Sequence, residues 1–241
     1  MNNLLKENVE HFDLPSDSEY FCTKEHQVRA DLSIHLIGQV FEQNDNLPIK
    51  LLSIACSDGI IEEKIKMKFG MEVHGIDAAR KSLERAKSRG IVIKYGDISE
   101  SLPYPTGYFN FIFAGEIFEH ILNIRSLFVE INRVLKTNGY LIVTTPNLAQ
   151  IDDRIKFIFG KSPRQISPLH PYLYLHIRPF TFGSLKLALS SHGFSDFVLH
   201  TPLFKVDLFG KKISIYSRLL CRMFPTFGSN LVLRSRKVKS I

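Results

Sequence analysis

Two apolar runs near the start of the chain end in residues that suit a nucleoside site. Residues 52–59 run from apolar into small and polar side chains, and Asp77 ends the next run 18 residues after Gly59. Small residues let a backbone approach a ligand, and the N-terminus of the following helix offers unpaired N–H groups. An acid at the end of the second strand can accept both ribose hydroxyls. Asp77 also suits the cap of a helix that begins at Ala78, and the two roles are compatible.

Further along, polar side chains follow two more apolar runs. Asp97 ends the third run, where its carboxylate can contact an adenine edge or cap a turn. Glu116, Glu119 and His120 follow the fourth run at helical spacing, which places them on adjoining faces. An imidazole titrates near neutral pH, so His120 is a candidate general base, although a role in orienting the loop is an almost equal alternative. Two carboxylates and an imidazole can also bind a divalent cation, but we favour a site without metal.

The elements that position these residues alternate between strand and helix. Apolar runs predict strands at 50–55, 71–76, 91–95, 109–114 and 140–145, and helical spacing predicts helices at 27–43, 60–69, 78–89 and 123–135. Beyond Pro146 we expect a helix at 181–192, strands at 194–203 and 231–238, and a basic amphipathic helix at 211–224. Alternating strands and helices indicate an α/β fold, a three-layer sandwich with a mostly parallel sheet between helices.

Charge is distributed unevenly along the 241 residues. The net charge is +7, yet residues 1–150 carry −4 and residues 151–241 carry +11. The basic part therefore suggests an anionic partner: nucleic acid, a membrane surface or a phosphorylated substrate. The three cysteines form no C-x-x-C pair, and no signal peptide or apolar run long enough to span a membrane is visible. We expect a cytoplasmic protein without a zinc site or disulfides.

The motifs taken together resemble a known family. Leu-x-Ile-x-Cys-x-Asp-Gly, Gly-Ile-Asp, Gly-Asp-Ile, Glu-x-x-Glu-His and Gly-Tyr-Leu-Ile-Val-Thr-Thr-Pro-Asn occur in the order typical of class I S-adenosylmethionine-dependent methyltransferases. The chain is similar to their small-molecule branch, which includes the ubiquinone-pathway O-methyltransferases, over about residues 28–200. The resemblance implies a Rossmann-like seven-stranded sheet in the order 3-2-1-4-5-7-6. It also implies S-adenosylmethionine as cofactor and S-adenosylhomocysteine as product.

The resemblance also implies roles for individual residues. Those expected to bind the cofactor are Ser53, Ala55, Cys56, Ser57 and Gly59 around its methionine part, Ile76, Asp77 and Ala78 at the ribose, Asp97 and Ile98 at the adenine, and Gly115 and Glu116 on the side facing the acceptor. Glu119 and His120 are the expected catalytic residues. Two positions depart from the family pattern. Ser53 stands where most relatives have an acid near the cofactor's ammonium group, and Ser57 replaces a common glycine. These departures point to reduced affinity for the cofactor or to loss of binding. We favour binding, because Asp77, Asp97 and Gly59 remain.

The remaining segments are assigned to the acceptor. We expect an N-terminal arm at 1–26 and one methyltransferase domain at 27–241, in which 147–180 caps the acceptor pocket and 205–241 forms a basic helix and the last strand. The cap offers His170, Tyr172, Tyr174, His176 and Arg178 for stacking and anion contact. The basic end suits an anionic membrane or a phosphorylated carrier, but a packed helix with a solvated basic face is the favoured alternative.

The predicted reaction is therefore methyl transfer to an O or N atom of a small molecule. A weaker inference from charge is that the acceptor is anionic, such as a glycan or lipid intermediate on a carrier. The alternatives are a nicotinamide dehydrogenase, a non-catalytic methyltransferase-like binding protein, and a tRNA or rRNA methyltransferase. The glycine fingerprint typical of a nicotinamide dehydrogenase is absent from this chain. Nucleic acid is not the expected partner, because no RNA-binding module is recognisable.

Overall fold

Seven strands form the central sheet of the computed structural model, which describes residues 23–42, 48–99, 101–166, 175–208 and 211–241. Numbered along the chain, the strands are β1 (Lys50–Ile54), β2 (Glu72–Asp77), β3 (Val92–Tyr95), β4 (Phe109–Gly115), β5 (Leu135–Pro146), β6 (Phe194–His200), β7 (Phe204–Leu208), β8 (Lys211–Ile215) and β9 (Asn230–Lys237). The order across the sheet is β3-β2-β1-β4-β5-β9-β6, while β7 and β8 form a separate pair. Strands β1 to β5 are parallel, and β9 is antiparallel to both β5 and β6. Since β9 is the seventh strand of this sheet in the chain, the predicted order is confirmed.

Helices cover both faces of the sheet. Those within the described ranges are α1 (Lys24–Phe41), α2 (Ile60–Phe69), α3 (Arg80–Ser88), α4 (Ile124–Val134), α5 (Ile151–Ile158), α6 (Phe182–Ser190) and α7 (Arg218–Met223). The predicted helices at 27–43, 60–69, 78–89, 123–135 and 181–192 each coincide with one of these to within three residues.

The core lies in two layers because successive strand residues point to opposite faces. Leu51 and Phe111 pack on one side against α1, α2 and α3. Leu52 and Ile112 pack on the other side against α4 and α6. All four side chains are fully buried. Apolar runs without alternation are therefore strands buried on both faces, and the three-layer prediction is confirmed.

The prediction of a helix over 211–224 is wrong for its first part. Residues 211–215 form β8, which pairs antiparallel with β7, and only α7 is helical. Ile213 and Ile215 alternate with polar residues, and β-branched side chains at a period of two favour a strand. Ser217 then caps α7, because its side chain accepts a hydrogen bond from the N–H of Leu220.

The segment after β5 contains more regular structure than its composition suggests. The eight-residue helix α5 follows the end of β5, and a 3-10 turn spans Arg164–Ile166. The predicted cap residues His170, Tyr172 and Tyr174 lie outside the described ranges. Among the helices of the described ranges, none combines the length and the apolar character that a membrane crossing requires.

Candidate active site at the strand ends

The loop between β1 and α2 turns through left-handed backbone conformations. Ala55 has φ +57°, Ser57 has φ +46° and Gly59 has φ +77°. Left-handed residues other than glycine are uncommon and cluster where a ligand requires a particular backbone shape. A Cβ added at Gly59 would lie 3.0 Å from the Cβ of Ala86, so this position also needs glycine for close packing on α3. The N–H of Ala55 donates to the carbonyl oxygen of Ile76 over 2.8 Å, which fixes the loop to β2.

Asp77 joins this loop to the end of β2. Its Oδ2 accepts a hydrogen bond from the N–H of Ser57, and its Oδ1 accepts one from the N–H of Ala79, each over 2.8 Å. The prediction that Asp77 caps a helix beginning at Ala78 is wrong, because α3 begins at Arg80 with Ala79 as its N-cap. The bond from Asp77 to the N–H of Ala79 closes a turn just before the helix. A carboxylate has about four lone-pair positions, so the role in binding ribose hydroxyls is chemically compatible with both bonds and stays a prediction.

The end of β3 completes this edge of the sheet. The N–H of Gly96 donates to the carbonyl oxygen of Asp77 over 3.1 Å. Asp97 Oδ1 accepts from the N–H of Ser99 over 2.9 Å and from its hydroxyl over 2.6 Å, so Asp97 holds a turn in this structure. Ile98 is buried in the same core cluster as Ile76. The predicted ribose and adenine residues thus lie on neighbouring strand ends, joined through the backbone of Asp77.

Below the β1 loop, Ser53 has a buried carboxyl group as its partner. Its hydroxyl donates to Glu62 Oε1 over 2.6 Å, and both residues are buried. Burial raises the pKa of Glu62 to about 7, and the nearby negative charges of Asp58 and Asp77 add to the increase. Sequence reasoning missed Glu62. Its position on the first turn of α2 is the only signal that the sequence offers.

Glu116 follows β4 and is held by two elements that are distant in sequence. Its φ is +51°. Arg29 of α1 places its Nη1 3.0 Å from Oε2, and the side-chain amide of Asn230 donates to the same oxygen over 3.2 Å. The backbone N–H of Glu116 donates to the carbonyl oxygen of Thr144 over 2.9 Å, which ties it to β5. No sequence motif marks Arg29 or Asn230 as part of this site.

Glu119 and His120 lie on a single 3-10 turn, Phe118–His120, and both are buried. Glu119 Oε2 accepts from the hydroxyl of Thr145 over 3.0 Å. Burial raises the pKa of Glu119 well above its ordinary value, and the charge of Glu116 adds to this effect. The Nδ1 atom of His120 lies 3.1 Å from the carbonyl oxygen of Leu175, so it is the donor in that contact.

The candidate metal ligands differ from those that the sequence suggested. Glu119 and His120 are joined by His176 of the cap segment, with one ligand atom of each residue within 4.8 Å of the others. The rings of His120 and His176 meet edge to face with centroids 4.8 Å apart. Glu116 is not part of this group and pairs with Arg29 instead. A divalent cation stays the unfavoured alternative, because burial favours the protonated form of Glu119 and a neutral acid is a poor ligand.

Several basic side chains of the C-terminal part have structural partners. The ammonium group of Lys237 is buried and donates to the carbonyl oxygens of Asn132 and Leu135 over 2.6 and 2.9 Å. Arg234 donates to Gln39 Oε1 over 2.9 Å, and Arg236 donates to Asn138 Oδ1 over 2.7 Å. The charges on β9 are therefore largely used in packing, whereas Arg218 and Arg222 of α7 are exposed.

This sheet order, together with the hydrogen bond between the β1 loop and an acid at the end of β2, defines a Rossmann-like methyltransferase fold. Residues 52–143 match the methyltransferase domain family Methyltransf_11. Over 103 residues the chain is 34% identical to the ubiquinone biosynthesis O-methyltransferase of Pelagibacter ubique, a match that covers 41% of this chain and 42% of that protein. It is 28% identical over 103 residues to the malonyl-(acyl-carrier protein) O-methyltransferase of Legionella pneumophila, covering 41% and 36% respectively. The chain therefore has the fold of the class I S-adenosylmethionine-dependent methyltransferases, and residues 52–143 are similar in sequence to a methyltransferase domain.

The solved structures agree with this fold. A methyltransferase of Thermotoga maritima, described as a possible histamine N-methyltransferase, superposes with a TM-score of 0.63 at 17% identity over 98% of this chain and 100% of that one. A phosphoethanolamine N-methyltransferase of Haemonchus contortus, in complex with S-adenosyl-L-methionine, gives a TM-score of 0.51 at 15% identity, covering 77% and 45%. The matched stretches span about two-fifths of the length of the curated relatives named above.

Proposed function

We propose that this chain transfers a methyl group from S-adenosylmethionine to an O or N atom of a small molecule. The observation that carries the proposal is the pair of hydrogen bonds by which Asp77 joins the β1 loop to the start of α3. This arrangement offers a left-handed loop backbone, a carboxylate and the adjoining β3 turn along one edge. These groups fit the methionine part, the ribose and the adenine of the family's cofactor.

The roles of the individual residues follow from these positions. Ser53, Ala55, Cys56, Ser57 and Gly59 would hold the methionine part, Ile76, Asp77 and Ala78 the ribose, Asp97 and Ile98 the adenine, and Gly115 and Glu116 the side towards the acceptor. The bound cofactor supplies a methyl group on a sulfonium sulfur, which is already a good leaving group. Burial raises the pKa of the Cys56 thiol, so we assign Cys56 to packing and not to nucleophilic chemistry.

Proton removal from the acceptor is assigned to His120. Its Nδ1 donates to the carbonyl oxygen of Leu175, which favours the neutral tautomer whose Nε2 accepts a proton. Glu119 lies within 4.8 Å of a ring nitrogen of His120 and would hold the ring in position. Because burial favours the neutral form of Glu119, no charge-stabilising role is assigned to it. The cap segment supplies His176 beside this pair, and it would limit the access of water to the reacting atoms.

Cofactor binding and transfer are tested in two steps. Calorimetry with S-adenosylhomocysteine asks whether the nucleoside site exists, and a lack of binding at millimolar concentration would favour the non-catalytic alternative. Transfer of a labelled methyl group into a metabolite extract then tests the activity. Strongly salt-dependent RNA binding, with label incorporated into RNA, would favour the tRNA or rRNA alternative instead.

For the acceptor, we propose an anionic lipid, or an intermediate carried on a lipid, that this protein reaches at a membrane surface. The protein itself is proposed to be cytoplasmic. Apolar side chains are exposed next to basic ones around α5 and α7, and we call this set the basic apolar face. Its apolar members are Phe157, Ile158, Phe159, Leu219 and Met223, and its basic members are Arg154, Lys161, Arg164, Arg218 and Arg222. Exposed apolar residues accompanied by positive charges suit an anionic bilayer.

The basic apolar face adjoins the proposed acceptor side. Helix α5 follows the end of β5, where Pro146 is opposite Asn230 in the register of β5 and β9. Asn230 also contacts Glu116. The guanidinium of Arg154 lies 4.3 Å from the ring centroid of Phe227, which connects α5 to the turn after α7. A lipid-carried acceptor bound to this face would therefore lie close to the strand ends.

Vesicle sedimentation tests this surface. The variant Phe157→Ser/Phe159→Ser should lose binding to phosphatidylglycerol vesicles, and wild type should bind phosphatidylcholine vesicles weakly. Met67→Ser is the matched control, because Met67 is 82% exposed on α2. Equal binding by wild type and by the double variant would overturn the membrane proposal without affecting the proposal of cofactor binding.

A further inference from the structure

A carboxyl group lies beneath the cofactor loop at a place where the strand itself offers only a hydroxyl. Ser53 on β1 is 1% exposed, and Glu62 on the first turn of α2 is 3% exposed. The Ser53 hydroxyl donates its only hydrogen to Glu62 Oε1 over 2.6 Å. A hydroxyl whose hydrogen is committed in this way can only accept from other groups. The pair therefore places an acceptor, backed by an acid, at the end of β1 directly before the loop assigned to the methionine part of the cofactor.

The surroundings of Glu62 add negative charge. Asp58 is 4% exposed, and its Oδ2 is a buried atom without a hydrogen-bond partner within the described ranges. The charges of Asp58 and Asp77 both act on Glu62. The nearby cation Arg89 bonds the carbonyl oxygen of Asp58 and the carboxylate of Glu63. Among the ion pairs of the described residues, none includes Glu62 or Asp58.

A buried carboxyl group without a cation reduces the stability of a protein, because a charge loses its hydration. A cationic ligand that reaches the site offsets this cost. The cofactor carries an ammonium group on its methionine part, and that group has N–H donors and no acceptor. The donor set of Ser53 and Glu62 is therefore complementary to it.

We propose that Glu62 supplies, from α2, the negative charge that binds the ammonium group of the cofactor, and that it acts through Ser53. This inference rests on the proposed function. Glu62 is a positioning residue in this scheme, because Ser53 stands between it and the ligand. The same pair explains how the chain tolerates a serine at position 53, where the family that it resembles has an acid: the carboxyl group has moved from the strand to the adjacent helix.

Calorimetry with two ligands tests this assignment without any measurement of activity. S-adenosylhomocysteine carries the ammonium group, whereas methylthioadenosine keeps the nucleoside and lacks the amino-acid part. Glu62→Gln should weaken S-adenosylhomocysteine binding about tenfold or more, as expected for the loss of one charge-assisted contact, and leave methylthioadenosine binding unchanged. Glu63→Gln is the matched control, because it makes the same change on the next residue of α2, and both affinities should stay at the wild-type values.

A double variant that moves the carboxylate back to the strand tests whether the loss of affinity comes from the missing charge or from a change in the fold. In Ser53→Asp/Glu62→Ala the acid returns to the strand and the helix position becomes small, and S-adenosylhomocysteine affinity should recover to within about threefold of wild type. Three results would overturn the assignment: an equal loss of affinity for both ligands in Glu62→Gln, no loss of affinity for S-adenosylhomocysteine in that variant, or no recovery of this affinity in the double variant. If wild type binds methylthioadenosine and S-adenosylhomocysteine equally, the assignment fails while the nucleoside site stands. If wild type binds neither ligand, the proposed function fails with it.

Discussion

The guanidinium of Arg29 lies 3.0 Å from the carboxylate of Glu116, and both side chains are mostly buried. This ion pair joins the first described helix to the loop after β4, at the edge where the acceptor is proposed to bind. Asn230 donates to the same carboxylate oxygen. The left-handed backbone of Glu116 is thus held by three separate parts of the chain: α1, β9 and, through its own N–H, β5.

Removing the cation of this pair should destabilise the protein. Arg29→Ala leaves the Glu116 carboxylate partly buried with only an amide partner, and we expect a loss of about 1–3 kcal/mol in the free energy of unfolding. Urea denaturation measures it. Arg125→Ala, an exposed position on α4, is the control and should change stability little. The double variant Arg29→Ala/Glu116→Gln should regain part of the loss, and a further decrease on adding the second substitution would contradict the argument.

Asp77→Asn should weaken nucleoside binding more than it weakens the fold. An amide keeps one acceptor oxygen but presents its NH₂ group to one of the two backbone N–H donors, at Ser57 or Ala79. We expect S-adenosylhomocysteine affinity to fall by roughly tenfold to a hundredfold, with a stability loss of about 1 kcal/mol. Calorimetry and urea denaturation give the two values. Asp31→Asn on the exposed side of α1 should change neither, and unchanged affinity in Asp77→Asn would remove Asp77 from the nucleoside site.

Stability and cofactor affinity should respond to pH in opposite directions. The pKa of Glu62 is raised to about 7 in the fold from an ordinary value of 4.5. The folded state therefore binds the extra proton, and stability should fall as pH rises from about 5 to about 8. Affinity for S-adenosylhomocysteine should rise over the same range, because the ammonium group prefers the ionised carboxylate.

Glu62→Gln distinguishes this group from its neighbours. The variant should lose most of the pH dependence of affinity and the part of the pH dependence of stability that Glu62 contributes, while the raised pKa of Glu119 leaves a dependence of stability in the same direction. It should be more stable than wild type at pH 8, because position 62 then carries no buried charge. Asp58, Asp77 and the Cys56 thiol are the other titratable groups that act around Glu62. If the variant keeps the full wild-type pH profile of affinity, the charge that changes with pH is not that of Glu62. The Cys56 thiol is excluded as its source, because burial raises the pKa of that thiol above this pH range. Urea denaturation and calorimetry at each pH provide the comparison.

His120→Ala should slow methyl transfer to a hydroxyl acceptor by about a hundredfold or more, the usual contribution of a general base. Binding of S-adenosylhomocysteine should be unchanged, because His120 lies on the acceptor side of the proposed site. Single-turnover transfer from the bound cofactor separates the chemical step from binding. His35→Ala on α1 serves as the control. Unchanged turnover in His120→Ala would leave the imidazole with the loop-orienting role only.

The alternating strands and helices could be predicted because the sequence patterns that determine them are local. Strands β1, β2 and β4 are short apolar runs buried on both faces, and the helices around them carry their own periodicity. Strand β3, at the edge of the sheet, is an apolar run of the same kind but is largely exposed. Asp77 could be found for the same reason, since the end of a parallel strand is fixed by the strand itself. The resemblance to a known family supplied the sheet order and the roles of the loops.

Contacts between distant segments could not be predicted. Arg29 and Asn230 reach Glu116 from opposite ends of the chain, and their spacing in sequence contains no periodic signal. His176 joins Glu119 and His120 only because the cap folds back over the 3-10 turn. The residues at 213, 216 and 220 fit a helical spacing, whereas those at 213 and 215 alternate as in a strand, and the pairing of β8 with β7 decides between the two patterns.

Asn230 is the first residue of β9, so its contact with Glu116 affects the order in which the parts of the site form during synthesis. A growing chain on the ribosome can form α1 and the first five strands while β9 is still unmade. Until Asn230 has emerged and β9 has inserted between β5 and β6, Glu116 lacks one of its two side-chain partners. We therefore expect the acceptor side of the site to mature last, after the nucleoside side has already formed on the nascent protein.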